Sequence, residues 1–390
     1  MINRWMGRLW YELVPAQNMY EGLPCQRPAP ARRWPWSLVV GLVLAGGAQA
    51  QLPWSLGARG HYGFLWPHNS SITVLVNGHA PAMEVFMERR VAGDHPWHHA
   101  YGLPRYGLMA IHTRMANPAQ IGDAIGLVPY LTLPFTQGGR IAFGMRIGWG
   151  VGWISKPYDR LDNTRQAAIG SRLNTVVQLM PTLRYARGRF GLSGGIAINH
   201  WSNGCVKQPN LGLNFLSLSL GAACSLAPPA SEPGPVEVDP AAYERPHREF
   251  SMVGAFGINE SGRAFEGQYS VYSFSGDASW RVGRKGGLGM GPDVFNKGSL
   301  PTIDPRLEGD PRIGFTQVGI HGSGALLMGR SELLFHFGAY VHSPAQESKP
   351  VYQRFGVRHR MGRHLLASIC LKTHFTTADH WEFGVGYRWN

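Results

Sequence analysis

The feature that most restricts the fold of this chain is an alternation of apolar and polar residues that begins near Leu56 and runs to the C-terminus. Successive side chains of a strand point to opposite faces, so each alternating segment is a strand with one apolar and one polar side. The pattern predicts strands near 56–66, 80–90, 105–115, 123–135, 140–154, 172–186, 189–201 and 212–224 in the first half. In the second half it predicts 249–258, 268–281, 286–296, 313–328, 330–342, 351–361, 363–375 and 380–389. That makes about sixteen strands, each able to cross a bilayer when tilted. No segment after the first 50 residues has the apolar length of a membrane helix.

The connections choose among all-β folds. Gln137-Gly138-Gly139-Arg140, Ala186-Arg187-Gly188-Arg189, Val282-Gly283-Arg284-Lys285, Met328-Gly329-Arg330 and Met361-Gly362-Arg363 are tight turns. Longer polar loops lie between them, at 67–78, 155–171, 202–211, 259–267, 297–312 and 343–350. Outer-membrane barrels alternate in this way, with short turns on the periplasmic rim and longer loops outside. A mean hydropathy of −0.16 beside 44% hydrophobic residues and 51 glycines fits strands whose lipid-facing and lumen-facing residues average out. The expected fold is thus a transmembrane antiparallel β-barrel of the outer-membrane type. The connection 91–104 is long where the alternation calls for a short one, and the last strand ends in Trp389-Asn390 rather than on a terminal aromatic.

Four segments follow. In residues 1–50, Arg32 and Arg33 precede a short apolar run closing on Ala48-Gln49-Ala50, which reads as a secretory signal peptide with an N-terminal extension, cut after Ala50. Residues 51–226 form the first strand region, and 227–247, rich in Pro, Ala and acidic residues, a linker or long periplasmic turn. Residues 248–390 complete or extend the barrel. One barrel of about sixteen strands is preferred here over two smaller ones.

The net charge of +13 suits basic loops in an anionic glycolipid layer. Nucleic acid is not expected, because the basic residues form no concentrated run and the chain is read as exported. Past the signal, Cys205, Cys224 and Cys370 remain, an odd number, so at least one thiol is unpaired or intermolecular. With no C-x-x-C, no metal is expected.

One stretch, Ile196 to Cys224, carries candidate chemistry. Counting by twos, Phe190, Leu192, Gly194, Ile196, Ile198, His200 and Ser202 share a face, and Asn214 heads a second stripe of Leu216, Leu218 and Leu220. In a barrel these stripes face lipid, and His200 and Ser202 stand at the membrane rim. A serine becomes nucleophilic when an imidazole takes its proton, and a third group must hold the imidazole's other nitrogen. Asn214 is the candidate third group. The turn Asn203-Gly204-Cys205 offers an amide and backbone N–H groups as oxyanion donors. Taken alone, a His-x-Ser pair is a frequent accident, and a structural role is the better reading.

The longer motif changes the odds. His200-Trp201-Ser202-Asn203-Gly204, followed by Lys207-Gln208-Pro209-Asn210-Leu211-Gly212, closely resembles the signature of outer-membrane lipid A 3-O-deacylases of the PagL type. The resemblance covers roughly 55–224, and the rest of the chain is similar in general pattern to longer acyloxyacyl-hydrolase relatives. It implies an eight-stranded barrel, Ser202 as nucleophile, His200 as general base and Asn203 as oxyanion donor, with Gly204 beside it. It implies lipid A of the outer leaflet as substrate, the outer membrane as location, and no cofactor. The family carries a glutamate fourteen residues after the histidine, where this chain has Asn214. An amide can still accept the imidazole N–H, but it cannot offset imidazolium charge.

Two other functions fit the same fold: a porin-like or structural barrel, and an outer-membrane phospholipase. A homodimer is compatible with all three. Lys372-Thr373-His374-Phe375-Thr376 with Glu382 echoes the His-x-Ser strand end, but lacks the serine and the Asn-Gly turn, so structure is preferred there. Gly286-Gly287-Leu288-Gly289-Met290-Gly291 resembles a phosphate loop without the helix one needs, and its glycines read as strand glycines. His61-Tyr62-Gly63 and Trp66-Pro67-His68 read as an interfacial girdle rather than a sugar site. Arg59 and Glu84 are expected to pair in the lumen.

Overall fold

The computed structural model describes residues 54–136, 139–227, 246–260, 267–345 and 349–389. The expected signal peptide and most of the 227–247 linker lie outside the described residues. The first eight strands are β1 (Ser55–Leu65), β2 (His79–Arg90), β3 (Arg105–Thr113), β4 (Ala124–Pro134), β5 (Ile141–Ile154), β6 (Leu173–Arg187), β7 (Phe190–Ser202) and β8 (Leu213–Ser225). The next eight are β9 (Arg248–Glu260), β10 (Gln268–Val282), β11 (Gly286–Lys297), β12 (Thr316–Met328), β13 (Ser331–His342), β14 (Val351–Met361), β15 (Leu365–His374) and β16 (Thr377–Trp389). Helices are confined to single turns, α1 (Ser70–Thr73), α2 (Pro96–Ala100) and α3 (Leu300–Ile303), with 3-10 turns at Pro305–Leu307 and Arg312–Phe315.

The strands close into two antiparallel barrels of eight, which corrects the preference for one continuous barrel. β8 returns to β1, pairing Ser225 with Ser55 and Phe215 with Leu65. β16 returns to β9, pairing Phe383 with Phe256 and Trp389 with Phe250. Once β8 has used its free edge on β1, nothing remains for β9 to extend, and the second half must close on itself.

The faces follow the alternation. On β7 and β8, Phe190, Leu192, Ile196, Leu218 and Leu220 are exposed on the outside, while Ala197, Asn199, Phe215 and Ser217 are buried inside. An exposed apolar band on every strand is stable only against lipid. Inside the first barrel, the end carrying the long loops is filled by Leu65, Ile72, Met115, Ile121, Trp201 and Phe215. The expected lumen pair exists: Arg59 Nε lies 3.6 Å from Glu84, which also accepts from Arg146 Nη1 at 2.7 Å. Glycines 286–291 lie within β11, as strand glycines.

The two barrels touch at both ends. At the short-turn end, Tyr101 Oη donates to the Lys285 carbonyl at 3.1 Å, and a Cβ on Gly329 would stand 2.9 Å from Trp97 Nε1. The long 91–104 connection therefore spends its extra length, including α2, on the neighbouring barrel. At the long-loop end, Gln268 Nε2 donates to the Val206 carbonyl at 2.8 Å, and Trp149 stacks on Trp381 with ring centroids 5.5 Å apart. Long loops meet long loops and short turns meet short turns, so both barrels cross the bilayer in the same sense.

Candidate active site

β7 brings His200 and Ser202 to its outward face at the long-loop end, and the β7–β8 register sets His200 directly opposite Asn214. Cross-strand neighbours of this kind have Cβ atoms about 5 Å apart, within reach of a side-chain hydrogen bond. His200 Nδ1 and Asn214 Oδ1 are 2.7 Å apart. The Asn214 amide faces a second imidazole on its other side, with Nδ2 2.9 Å from His68 Nδ1. His68 Nε2 in turn lies 3.0 Å from the Leu211 carbonyl. A carbonyl can only accept, so His68 Nε2 carries a proton and its Nδ1 accepts from the amide. The amide oxygen is thereby turned to His200, whose Nδ1 must be the protonated nitrogen. That leaves His200 Nε2 with a free lone pair.

Sequence reasoning assigned His68 to an aromatic girdle. The structure makes it the outer member of a His200–Asn214–His68 chain instead, although it lies 146 positions from Asn214. The only sequence signal was its place in the first long loop, beside a strand that closes on β8.

Ser202 is buried and bonds within its own loop. Its Oγ donates to Asn210 Oδ1 at 3.1 Å and receives the Gly204 backbone N–H at 3.2 Å. Among the described residues it makes no hydrogen bond to His200, two positions away on the same face. Asn210, which sequence reasoning did not single out, also accepts the Asn203 backbone N–H at 2.9 Å, so it pins the loop behind the serine.

Asn203, expected as an oxyanion donor, has its side-chain amide engaged within the loop. Its Nδ2 donates to Ser171 Oγ at 3.0 Å and to the Lys207 carbonyl at 2.7 Å, so both amide hydrogens brace the loop rather than point at a reaction centre. Gly204 keeps its backbone N–H on the serine oxygen, so this donor lies beside the serine. Two glycines are required by this packing. Gly212, at φ +78, lies under the imidazole, where an added Cβ would come within 2.7 Å of His200 Cε1. Gly204, at φ +65, lies against the second barrel, where a Cβ would fall 2.0 Å from Trp381 Nε1.

The loop after Ser202 is thus held from both sides. Cys205 accepts the Glu260 backbone N–H at 2.9 Å, and the Gln208 N–H donates to the Glu260 carboxylate. Burial pushes the Cys205 thiol up to about 12. Cys205, Cys224 and Cys370 are all unpaired.

The echo in the second barrel is built differently. Lys372 is fully buried, bonding Asp379 Oδ2 at 2.7 Å and Tyr340 Oη at 2.6 Å, so it belongs to a packed ionic interior. Nearby, Asp293, His321 and His336 converge closely enough to share an ion. Both oxygens of Asp293 are already taken, by Arg354 Nη1 at 2.9 Å and Tyr352 Oη at 2.6 Å. A guanidinium in that place fits an ion-paired lumen rather than a cation site.

The fold and its lipid-facing polar cluster define the class: an all-β protein of the outer-membrane barrel type. Residues 82–223 match the family described as lipid A 3-O-deacylase (PagL), and residues 248–390 match the acyloxyacyl hydrolase C-terminal domain. The two matches fall one in each barrel, so both halves of the chain are similar to proteins of this deacylase type. Among solved structures, the outer membrane enzyme PagL shares 18% identity over 42% of this chain and 97% of its own, with a TM-score of 0.32. Neisserial surface protein A shares 9% over 44% and 96%, with a TM-score of 0.31. A porin of Rhodopseudomonas blastica (a triple mutant) shares 6% over 87% and 100%, with a TM-score of 0.17. No curated protein sequence matches at the same stringency.

Proposed function

We propose that the protein is a serine esterase that removes a 3-hydroxyacyl chain from lipid A in the outer leaflet of the outer membrane. The observation that carries this reading is the 2.7 Å contact of His200 Nδ1 with Asn214, on the lipid-facing side and two residues before Ser202. It leaves Nε2 as the free base, on the strand face that a membrane-embedded ester can reach without a soluble pocket.

Ser202 Oγ attacks the ester carbonyl, and His200 Nε2 takes the serine proton. The Gly204 N–H stabilises the oxyanion, while Asn210 Oδ1 keeps accepting the Asn203 N–H and holds the loop in place. The imidazolium returns its proton to the departing alcohol. Water, activated by the same imidazole, then releases the fatty acid from the acyl-serine. Asn203 serves by bracing the loop, and no metal or organic cofactor takes part in these steps.

The test is mass spectrometry of lipid A from cells making the protein, beside cells making an equally folded Ser202→Ala form. The expected result is loss of one hydroxyacyl mass with the wild type only. Unchanged lipid A with both, with the barrels assembled, overturns the assignment. Loss of phospholipid acyl chains in place of lipid A chains would transfer it to a phospholipase.

A further inference from the structure

A second binding feature lies inside the first barrel, remote from Ser202. A cavity of about 510 Å³ is lined by Arg59, Arg90, Arg105, Arg146 and Arg184, with Glu88 as its one acidic lining residue. Arg90 ends β2 and Arg105 begins β3, so the cavity lies toward the short-turn rim, opposite the candidate active site. Its size is that of an ordinary small-ligand site.

Guanidinium groups outnumber carboxylates along this wall. Glu88 is engaged by Arg105 Nε at 2.8 Å and by Tyr130 Oη at 3.0 Å. Glu84 is shared among Arg146, Arg59 and His61. Arg59 spends its terminal nitrogens on neutral partners, the Met180 sulfur at 3.0 Å and Ser193 Oγ at 2.9 Å. The Nε atoms of Arg59 and Arg146, both nearly fully buried, have no hydrogen-bond partner. Arg184 makes no hydrogen bond or ion pair among the described residues, and its Nη2 lies 3.2 Å from where a Cβ on Gly191 would be. Gly191 thus keeps open the wall beside a guanidinium that Glu88 attracts but does not bond. An excess of buried guanidinium charge is costly, and the fork geometry of a group such as Arg184, which donates no hydrogen bond among the described residues, suits the paired oxygens of a phosphate.

We infer that the lumen of the first barrel is a binding site for a phosphate-bearing anion, entered from the short-turn rim. The anion is either a soluble phosphorylated molecule or the headgroup of a lipid at that rim. The site is separate from the ester chemistry and does not depend on the deacylase reading.

The experiment is calorimetric titration of the full chain, folded in neutral detergent, with inorganic pyrophosphate. Saturable binding is expected, weakened about tenfold or more by Arg184→Gln, the share of one charge-assisted hydrogen bond. Arg160→Gln, on the exposed 155–172 loop at the other rim, should leave it unchanged. If Arg184→Gln does not assemble, Arg184→Lys keeps the charge while losing the fork, and should still weaken binding. Absence of saturable wild-type binding overturns the inference, as does equal weakening by the Arg184 and Arg160 changes. Doping the micelles with phosphatidylglycerol assigns the source: competition with pyrophosphate indicates a lipid headgroup, and its absence a soluble anion.

Discussion

The side chains of His68 and Asn214 meet at 2.9 Å between two long-loop ends that the closure of β1 on β8 brings together. This contact orients an amide whose two ends look alike but act oppositely. With Nδ2 on His68, the oxygen must face His200, and the imidazole is held as the Nδ1–H tautomer that leaves Nε2 basic. A carboxylate needs no such help, because both of its atoms accept. The asparagine in this chain makes His68 a positioning residue.

Replacing His68 with Ala should therefore lower lipid A hydrolysis by about tenfold or more, since a flipped amide presents N–H groups to His200 and favours the wrong tautomer. A wrongly held tautomer costs as much as ~10⁴ in a serine-protease triad, which sets the ceiling. The fall should appear in kcat with little change in KM, and His68→Ala should add nothing in an Asn214→Glu background. An equal loss in both backgrounds would mean that His68 acts on substrate or on folding instead.

Asn214→Glu should raise the rate, and Asn214→Ala should lower it by about tenfold to a hundredfold. A carboxylate fixes the tautomer and also stabilises the imidazolium formed when Ser202 gives up its proton, which an amide cannot do. Single-turnover hydrolysis of a hydroxyacyl ester in mixed micelles would measure both. Equal rates for wild type and Asn214→Glu would show that the imidazolium needs no counter-charge here.

The second barrel is expected to act through Trp381. Gly204→Ala forces a Cβ into the indole and puts a side chain at φ +65, a strain of about 1–2 kcal/mol apart from the clash. That variant should lose activity. Gly204→Ala with Trp381→Ala should recover part of it, because the indole is gone while the backbone strain remains. A double-mutant cycle with no coupling between the two positions would remove the second barrel from any role in shaping the serine loop.

Much of the fold could be read from period-two alternation, and the reasons it stopped short are physical. The strand ends fell within a few residues because side-chain parity is a local property. The largest differences are at β12, where the 3-10 turn Arg312–Phe315 precedes Thr316, and at β16, which begins at Thr377 rather than 380. One barrel and two barrels share the same strands and turns, and differ only in whether Ser55 finds Ser225. That pairing spans the whole first half and leaves no local mark. The site divides in the same way. His200 opposite Asn214 could be anticipated because their strands are consecutive and joined by a single loop, whereas His68 reaches the pair only through barrel closure. The bonds of Asn203 to Ser171 and Lys207 were not legible in the sequence, because they come from a loop that lies 32 positions away and from the fold of the serine loop itself.

Thiol chemistry gives an independent check of the loop. With Cys205 buried and its thiol pushed up to about 12, almost none is thiolate at pH 8, so maleimide labelling there should be slow. Trp381→Ala, by uncovering the loop, should speed it at least several-fold, as read by mass spectrometry of the Cys205 peptide. Rapid labelling of the wild type would mean that the second barrel does not seal the loop.

Mild acid should loosen the contact between barrels at the short-turn rim. His98 in α2 is buried, and its Nδ1 accepts the Gly93 N–H at 3.2 Å. Burial lowers its pKa from the ordinary imidazole value to about 4, outweighing Asp94, whose Oδ1 lies 3.0 Å from Nδ1 and pulls the other way. A histidine lowered in the folded state is neutral there while the unfolded segment already binds a proton. Its stabilising effect is therefore complete above about pH 6.5 and declines as pH falls toward 4. Because α2 carries Trp97 to Gly329 and is followed by Tyr101 at the Lys285 carbonyl, the change should reach the second barrel. Hydrogen exchange of residues 93–102 should quicken between pH 7 and pH 5 relative to the strands, after correction for the intrinsic pH dependence of exchange. His98→Asn, which keeps a neutral acceptor but cannot take up a proton, should abolish that pH response. An unchanged response in the variant would place the sensitivity on another group.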